Sequence, residues 1–151
     1  MKCPACDRSL IPIQAGSITV DACQGGCGGL WFDNYELKRV DEPGEIDGEA
    51  LLNIEFDLGA EVDYQRRRSC PKCSGVVLMR HFFNQARRIE VDTCPKCGGV
   101  WLDAGELAQI RKENATTVDR NQAASQYFKQ VFRQDFVRTF GRGQGPTAPN
   151  A

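Results

Sequence analysis

Eight of the 151 residues are cysteines, and they fall in four close pairs: Cys3 and Cys6, Cys23 and Cys27, Cys70 and Cys73, Cys94 and Cys97. Between the pairs lie 16 residues in the first half (7–22) and 20 in the second (74–93). Two close thiol pairs separated by a hairpin's length give the spacing of a four-thiolate zinc site, and it occurs twice. Disulfides and iron are the competing chemistries. The chain opens Met1-Lys2-Cys3-Pro4 without an apolar leader, so the expected setting is cytoplasmic, where thiols stay reduced. Closed four-sulfur geometry favours two Zn²⁺ over iron.

Few other residues can do chemistry. His81 is the single histidine, a composition that argues against a triad-type nucleophile. Four cysteines per zinc leave no open position for water or substrate. No catalytic residue is therefore assigned, and neither an enzyme nor a small-molecule substrate is expected. Asp33 and Asp103 read as helix N-caps, with Glu36 and Glu106 completing a capping box. Trp31 and Trp101 read as cover for the metal turns.

The elements that must position these thiols are repeated along with them. Val20-Asp21-Ala22-Cys23 matches Val91-Asp92-Thr93-Cys94, and the stretch Cys27–Leu37 matches Cys97–Leu107. Hairpin strands are predicted over Leu10–Gln14 and Ser17–Val20, and over Val76–Phe83 and Arg87–Asp92. Short helices are predicted over Asn34–Val40 and Ala104–Asn114. A segment of about 40 residues cannot bury enough apolar surface to fold alone. A structural zinc contributes on the order of 10–16 kcal/mol of apparent binding free energy, which is folding free energy in such a module.

Cys-Pro-x-Cys, then Val-Asp-x-Cys, then Cys-Gly-Gly-x-Trp-[Leu/Phe]-Asp-x-x-Glu-Leu, resembles the transcription factor IIB-type zinc-finger family over about 1–40 and 70–110. The resemblance implies a zinc-ribbon fold, zinc binding by all eight cysteines and a link to transcription. One turn departs from the pattern: Cys23 and Cys27 enclose three residues and no proline. The first site is thus expected to be the more labile.

The expected fold class is a small metal-stabilised α+β protein: two tandem zinc ribbons, each a β-hairpin plus a short helix, with a C-terminal amphipathic α-helix. The expected order is ribbon 1 (1–40), an acidic linker (41–69), ribbon 2 (70–114), the helix (115–141) and a disordered tail (142–151). The near-neutral net charge of −1 hides a partition, because residues 41–65 carry nine acidic and no basic groups. Within them Leu52, Ile54, Phe56 and Leu58 alternate with polar residues, a strand periodicity. Ribbon 2 presents Arg80, His81, Arg87 and Arg88 as a candidate contact with a partner or with nucleic acid. On the helix Phe128, Phe132, Phe136 and Phe140 recur every four residues, a candidate interface for self-association or a partner. No stretch is long and apolar enough to span a membrane.

These features predict a non-enzymatic adaptor or transcription-associated protein acting through protein–protein contacts. Direct nucleic-acid binding through the basic hairpin and a redox- or zinc-responsive switch are the alternatives.

Overall fold

The computed structural model describes residues 1–140, the side chains of 132 and 134–140 excepted. The expected disordered tail and the side chains of Phe132, Phe136 and Phe140 lie outside the described residues. Residues 1–115 form one compact unit and the helical segment from Thr116 onward a second.

Six strands make up the first unit: β1 (Ile11–Ala15), β2 (Ile18–Ala22), β3 (Leu30–Phe32), β4 (Met79–Phe82), β5 (Glu90–Thr93) and β6 (Val100–Leu102). They form a single antiparallel sheet in the order β1-β2-β3-β6-β5-β4. Each copy of the repeat thus supplies a hairpin and a third strand after its second thiol pair. The third strands join the copies, with Leu30 opposite Leu102, Trp31 opposite Trp101 and Phe32 opposite Val100. A local two-fold axis passes between the two tryptophans. Neither third strand is among the elements predicted from the sequence, because three residues are too few to show a period.

Alternation along β3 and β6 divides the interior between the two faces of the sheet. Leu30, Phe32 and Leu102 join Val20, Val91, Leu107 and Ile110 in one apolar cluster. Trp31 and Trp101 point the other way, among the cysteines, Leu10 and Leu78. Both tryptophans are fully buried. A Cβ added at Gly29 would lie 2.1 Å from the Trp101 ring, and one at Gly99 would lie 2.1 Å from the Trp31 ring. Each indole therefore sits on the other ribbon's glycine, in space that only the missing side chain leaves.

The helices differ from expectation. Asn34–Val40 holds only a 3₁₀ turn, Leu37–Arg39. The second helix does not stop at Asn114: α2 runs unbroken over Glu106–Phe140, with no glycine or proline in its 35 residues to end it. Thr116 and Thr117 are thus interior helical positions. Within the second unit Tyr127 and Phe128 are exposed, with their rings edge to face at 6.1 Å.

The acidic linker forms no strand. It folds as a 3₁₀ turn over Ile46–Gly48 and a one-turn helix α1 (Glu49–Leu52). Leu51 is buried from α1, and Ile54, beyond the end of that helix, packs against the same cluster. The buried Arg111 on α2 holds this segment, donating to the carbonyls of Val40 (3.0 Å) and Glu45 (3.2 Å) and to Glu49 (3.0 Å).

The crossed tryptophans generate a prediction. Gly29→Ala and Gly99→Ala should each lower the unfolding free energy by about 1–3 kcal/mol, the range for overpacking a close-packed interior. Gly59→Ala, on the exposed linker, should stay within about 0.5 kcal/mol of the parent. Denaturant unfolding of the zinc-loaded chain measures all three.

Candidate metal centres

The thiols gather into two sets, Cys3/Cys6/Cys23/Cys27 and Cys70/Cys73/Cys94/Cys97, with the sulfurs of each set all within 4.8 Å of one another. No cysteine is in a disulfide. Sulfur–sulfur contacts of 3.5 Å (Cys3–Cys27), 3.4 Å (Cys6–Cys23) and 3.8 Å (Cys70–Cys97) match the edge of a tetrahedron about 3.8 Å long that a zinc–sulfur bond of about 2.3 Å implies. The donor set fits zinc: four soft ligands, closed, with no carboxylate or imidazole among them.

Backbone geometry turns amides toward sulfur. Ala5 and Cys6 donate to Cys3 Sγ at 3.4 Å, Cys73 donates to Cys70 Sγ at 3.2 Å and Cys97 donates to Cys94 Sγ at 3.4 Å. After the Cys70–Cys73 and Cys94–Cys97 turns that aim two of these amides, Gly75 and Gly98 take φ of 73° and 72°, the left-handed region that glycine enters at little cost.

Electrostatics within each set also calls for a cation. In the first, the thiol of Cys3 donates to Cys27 and lowers its pKa to about 6, while Cys3 itself is pushed far up and burial raises Cys23 to about 11. In the second, burial of Cys94 is outweighed by the amides of Cys97 and Lys96 and by its thiol neighbours, which lower it to about 7. Burial raises Cys70 to about 12. Four thiolates together require a divalent ion among them.

The three-residue turn between Cys23 and Cys27 does not open the first site. Gln24-Gly25-Gly26 is pinned by the linker, since Gly25 N–H donates to the Glu55 carbonyl and Asp57 N–H to that of Gly26, both at 2.8 Å. Arg8 Nη1 adds a bond of 2.6 Å to the Gly25 carbonyl. Three of the four cysteines in this set are buried, against two in the other.

Asp33 and Asp103 serve the tryptophans rather than a helix end. Their carboxylates accept from the indoles of Trp31 (3.3 Å) and Trp101 (3.1 Å). The reciprocal half of the predicted capping box is present, because Glu36 and Glu106 accept from the backbone amides of Asp33 and Asp103 at 2.8 and 2.7 Å. Asp33 also takes Lys72 of the other ribbon at 2.6 Å. Asp103 takes the buried Arg68 at 2.8 Å, which reaches Asp92 at 3.1 Å as well. Nothing in the sequence pattern singles out Arg68 as the inner member of its arginine run. Tyr64 lies over its guanidinium, 6.0 Å from ring centre.

The candidate contact residues separate into bound and free. Arg80 is engaged by Asp92 at 3.1 and 3.3 Å and by the Tyr64 carbonyl. Both ring nitrogens of His81 are used, Nδ1–H donating to the Phe82 carbonyl (3.0 Å) and Nε2 accepting from Thr93 Oγ1 (2.7 Å), the tautomer that this network assigns. Arg87 and Arg88 are exposed on the β4–β5 loop, with no partner among the described residues. Of the candidate interface phenylalanines, Phe128 is 59% exposed.

A family model described as transcription factor zinc-finger matches residues 2–42 and 69–113. No curated protein and no solved structure matches the chain.

Two outcomes are expected. Cys94→Ser should reduce bound zinc from two ions per chain to about one or none, read by metal analysis. Glu106 supplies a pH dependence: burial, then the nearby Asp103 charge, raise its pKa from 4.5 to about 8. A carboxyl raised on folding stabilises the native state when protonated, so its contribution falls as pH rises from about 5 through 8. Glu106→Gln should become more stable than the parent as pH climbs from 6 to 9, with zinc retained throughout, as measured by denaturant midpoints.

Proposed function

The chain belongs to the transcription factor zinc-finger family, and from that premise we propose that it is a non-enzymatic binding protein, a zinc-stapled platform acting through protein–protein contacts in a transcription-associated setting. The observation that carries this reading is that both tetrathiolate sets are closed by protein sulfur and feed one continuous sheet. Four sulfurs fill a tetrahedral zinc, and the bound ion then supplies rigidity rather than a reactive position. His81, the only histidine, is spent on Phe82 and Thr93. Thiolate zinc of this kind suits a reducing compartment such as the cytoplasm. No helix among the described residues is long and apolar enough to cross a membrane.

Direct nucleic-acid binding is less favoured by the same geometry, because Arg80 and Arg68 are neutralised by Asp92 and Asp103. With two zinc ions on eight thiolates the formal charge of the chain is about −5.

Titration of the zinc-loaded chain with labelled duplex DNA and single-stranded RNA at low ionic strength tests the choice. No saturable binding is expected. Affinity that falls log-linearly with salt, and is lost when Arg87 and Arg88 are both replaced by serine, would make the protein a nucleic-acid binder instead.

A further inference from the structure

The two outer strands of the sheet are related by the internal repeat but are not equivalent. Phe83 N–H donates to the Ile89 carbonyl, so in the β4–β5 register the pairs 81/91 and 79/93 are the hydrogen-bonded ones. The N–H and C=O groups of Arg80 and Phe82 consequently face away from β5. One step earlier the outward amide is taken, since Leu78 N–H donates to the Arg68 carbonyl at 2.8 Å. Beyond it the ladder stops, and the backbone N–H groups of Arg80 and Phe82 have no partner among the described residues.

The corresponding outer strand of ribbon 1 is blunted. Leu10 N–H donates to the Met1 carbonyl at 2.9 Å, the counterpart of the bond at Leu78. The next outward position, matching Arg80, is Pro12, which has no N–H to give. Proline on an edge prevents another strand from adding there, and β4 carries no such guard. All four of its residues are exposed.

Charge selects what fits the open edge. A groove of about 460 Å³ beside it is lined by Arg66, Arg67, Arg68, Met79, Arg80 and Asp92, with Arg66 paired to Asp7 and Arg68 and Arg80 to Asp92. Arg67 at one end, and Arg87 and Arg88 in the loop at the other, are exposed and lack a carboxylate among the described residues. Met79 and Phe82 are 59% and 44% exposed between them. The geometry points to β4 as a docking edge that adds an extended acidic segment of a partner protein as a seventh strand. Its main chain pairs with the N–H and C=O of Arg80 and with the N–H of Phe82, whose carbonyl His81 already engages, and its carboxylates meet Arg67, Arg87 and Arg88. This rests on the binding-platform reading and supplies its site and partner chemistry.

The probe is a labelled, end-blocked peptide of about eight residues alternating glutamate with valine, titrated onto the zinc-loaded full chain by fluorescence anisotropy. Saturable binding is expected. Phe82→Pro should weaken it about tenfold or more, and the triple serine variant of Arg67, Arg87 and Arg88 by a similar factor, each with two zinc ions retained. A matching lysine–valine peptide should not bind. Independently of any variant, hydrogen exchange at the Arg80 and Phe82 amides should slow on peptide saturation.

Unprotected amides at those two residues, equal binding of the lysine peptide or failure of the glutamate peptide to bind each overturns the edge. So does an oligonucleotide that binds in place of the peptide and ignores Phe82→Pro. A chain that refuses the peptide yet forms a stoichiometric protein complex through another face overturns this edge alone and leaves the platform reading standing.

Discussion

Each tryptophan of this protein sits on the glycine of the opposite repeat, and the rest of the structure follows from that exchange. Trp31 fills the space beside Gly99 and Trp101 the space beside Gly29. The exchange is possible only if β3 and β6 lie side by side. That pairing fuses two hairpins, each too small to hold a core, into a sheet with two populated faces. The metal turns lie on the tryptophan face, so a zinc ion in one ribbon stiffens the turn that presents a glycine to the other ribbon's indole. Asp33 and Asp103 fix each indole through its N–H. Lys72 adds a cross-ribbon contact at Asp33, half exposed and energetically small.

The linker has a structural task despite its charge. Its nine carboxylates would repel one another in a compact segment. Leu51 and Ile54 anchor it in the core cluster, and Arg111 ties its Glu45 carbonyl and Glu49 carboxylate to the Val40 carbonyl that precedes it. Farther along, Glu55 and Asp57 bond main chain to main chain with the enlarged turn at Gly25 and Gly26. The feature that sets the first zinc site apart in sequence is the one the linker covers. Asymmetry between the repeats is thus matched by asymmetry in what packs on them.

Cysteine spacing made both metal sets legible in the sequence, because thiolate geometry tolerates few alternatives. The Gly-Gly-x-Trp motif was visible as well, but its purpose was not. A single copy does not show that the second glycine makes room for the other copy's ring. The period-two pattern of the linker does not become a strand, since Leu51 rather than Leu52 is the buried residue and one helical turn sets the register. The helix expected to end at Asn114 runs on to Phe140, because nothing between Glu106 and Phe140 breaks a helix, and the second compact unit begins within it at Thr116. Asp33 and Asp103 stand where helix caps are expected, but their carboxylates accept from the indoles, and only the Glu36 and Glu106 half of each capping box forms.

The account stands on the fusion of the two ribbons, and nuclear Overhauser contacts in the zinc-loaded chain probe it directly. It predicts strong cross-peaks from the Trp101 indole to the Gly29 α-protons and from the Trp31 indole to those of Gly99, with equal intensity in both directions. Two intact zinc ribbons that show neither contact, and tumble as separate bodies, would contradict it.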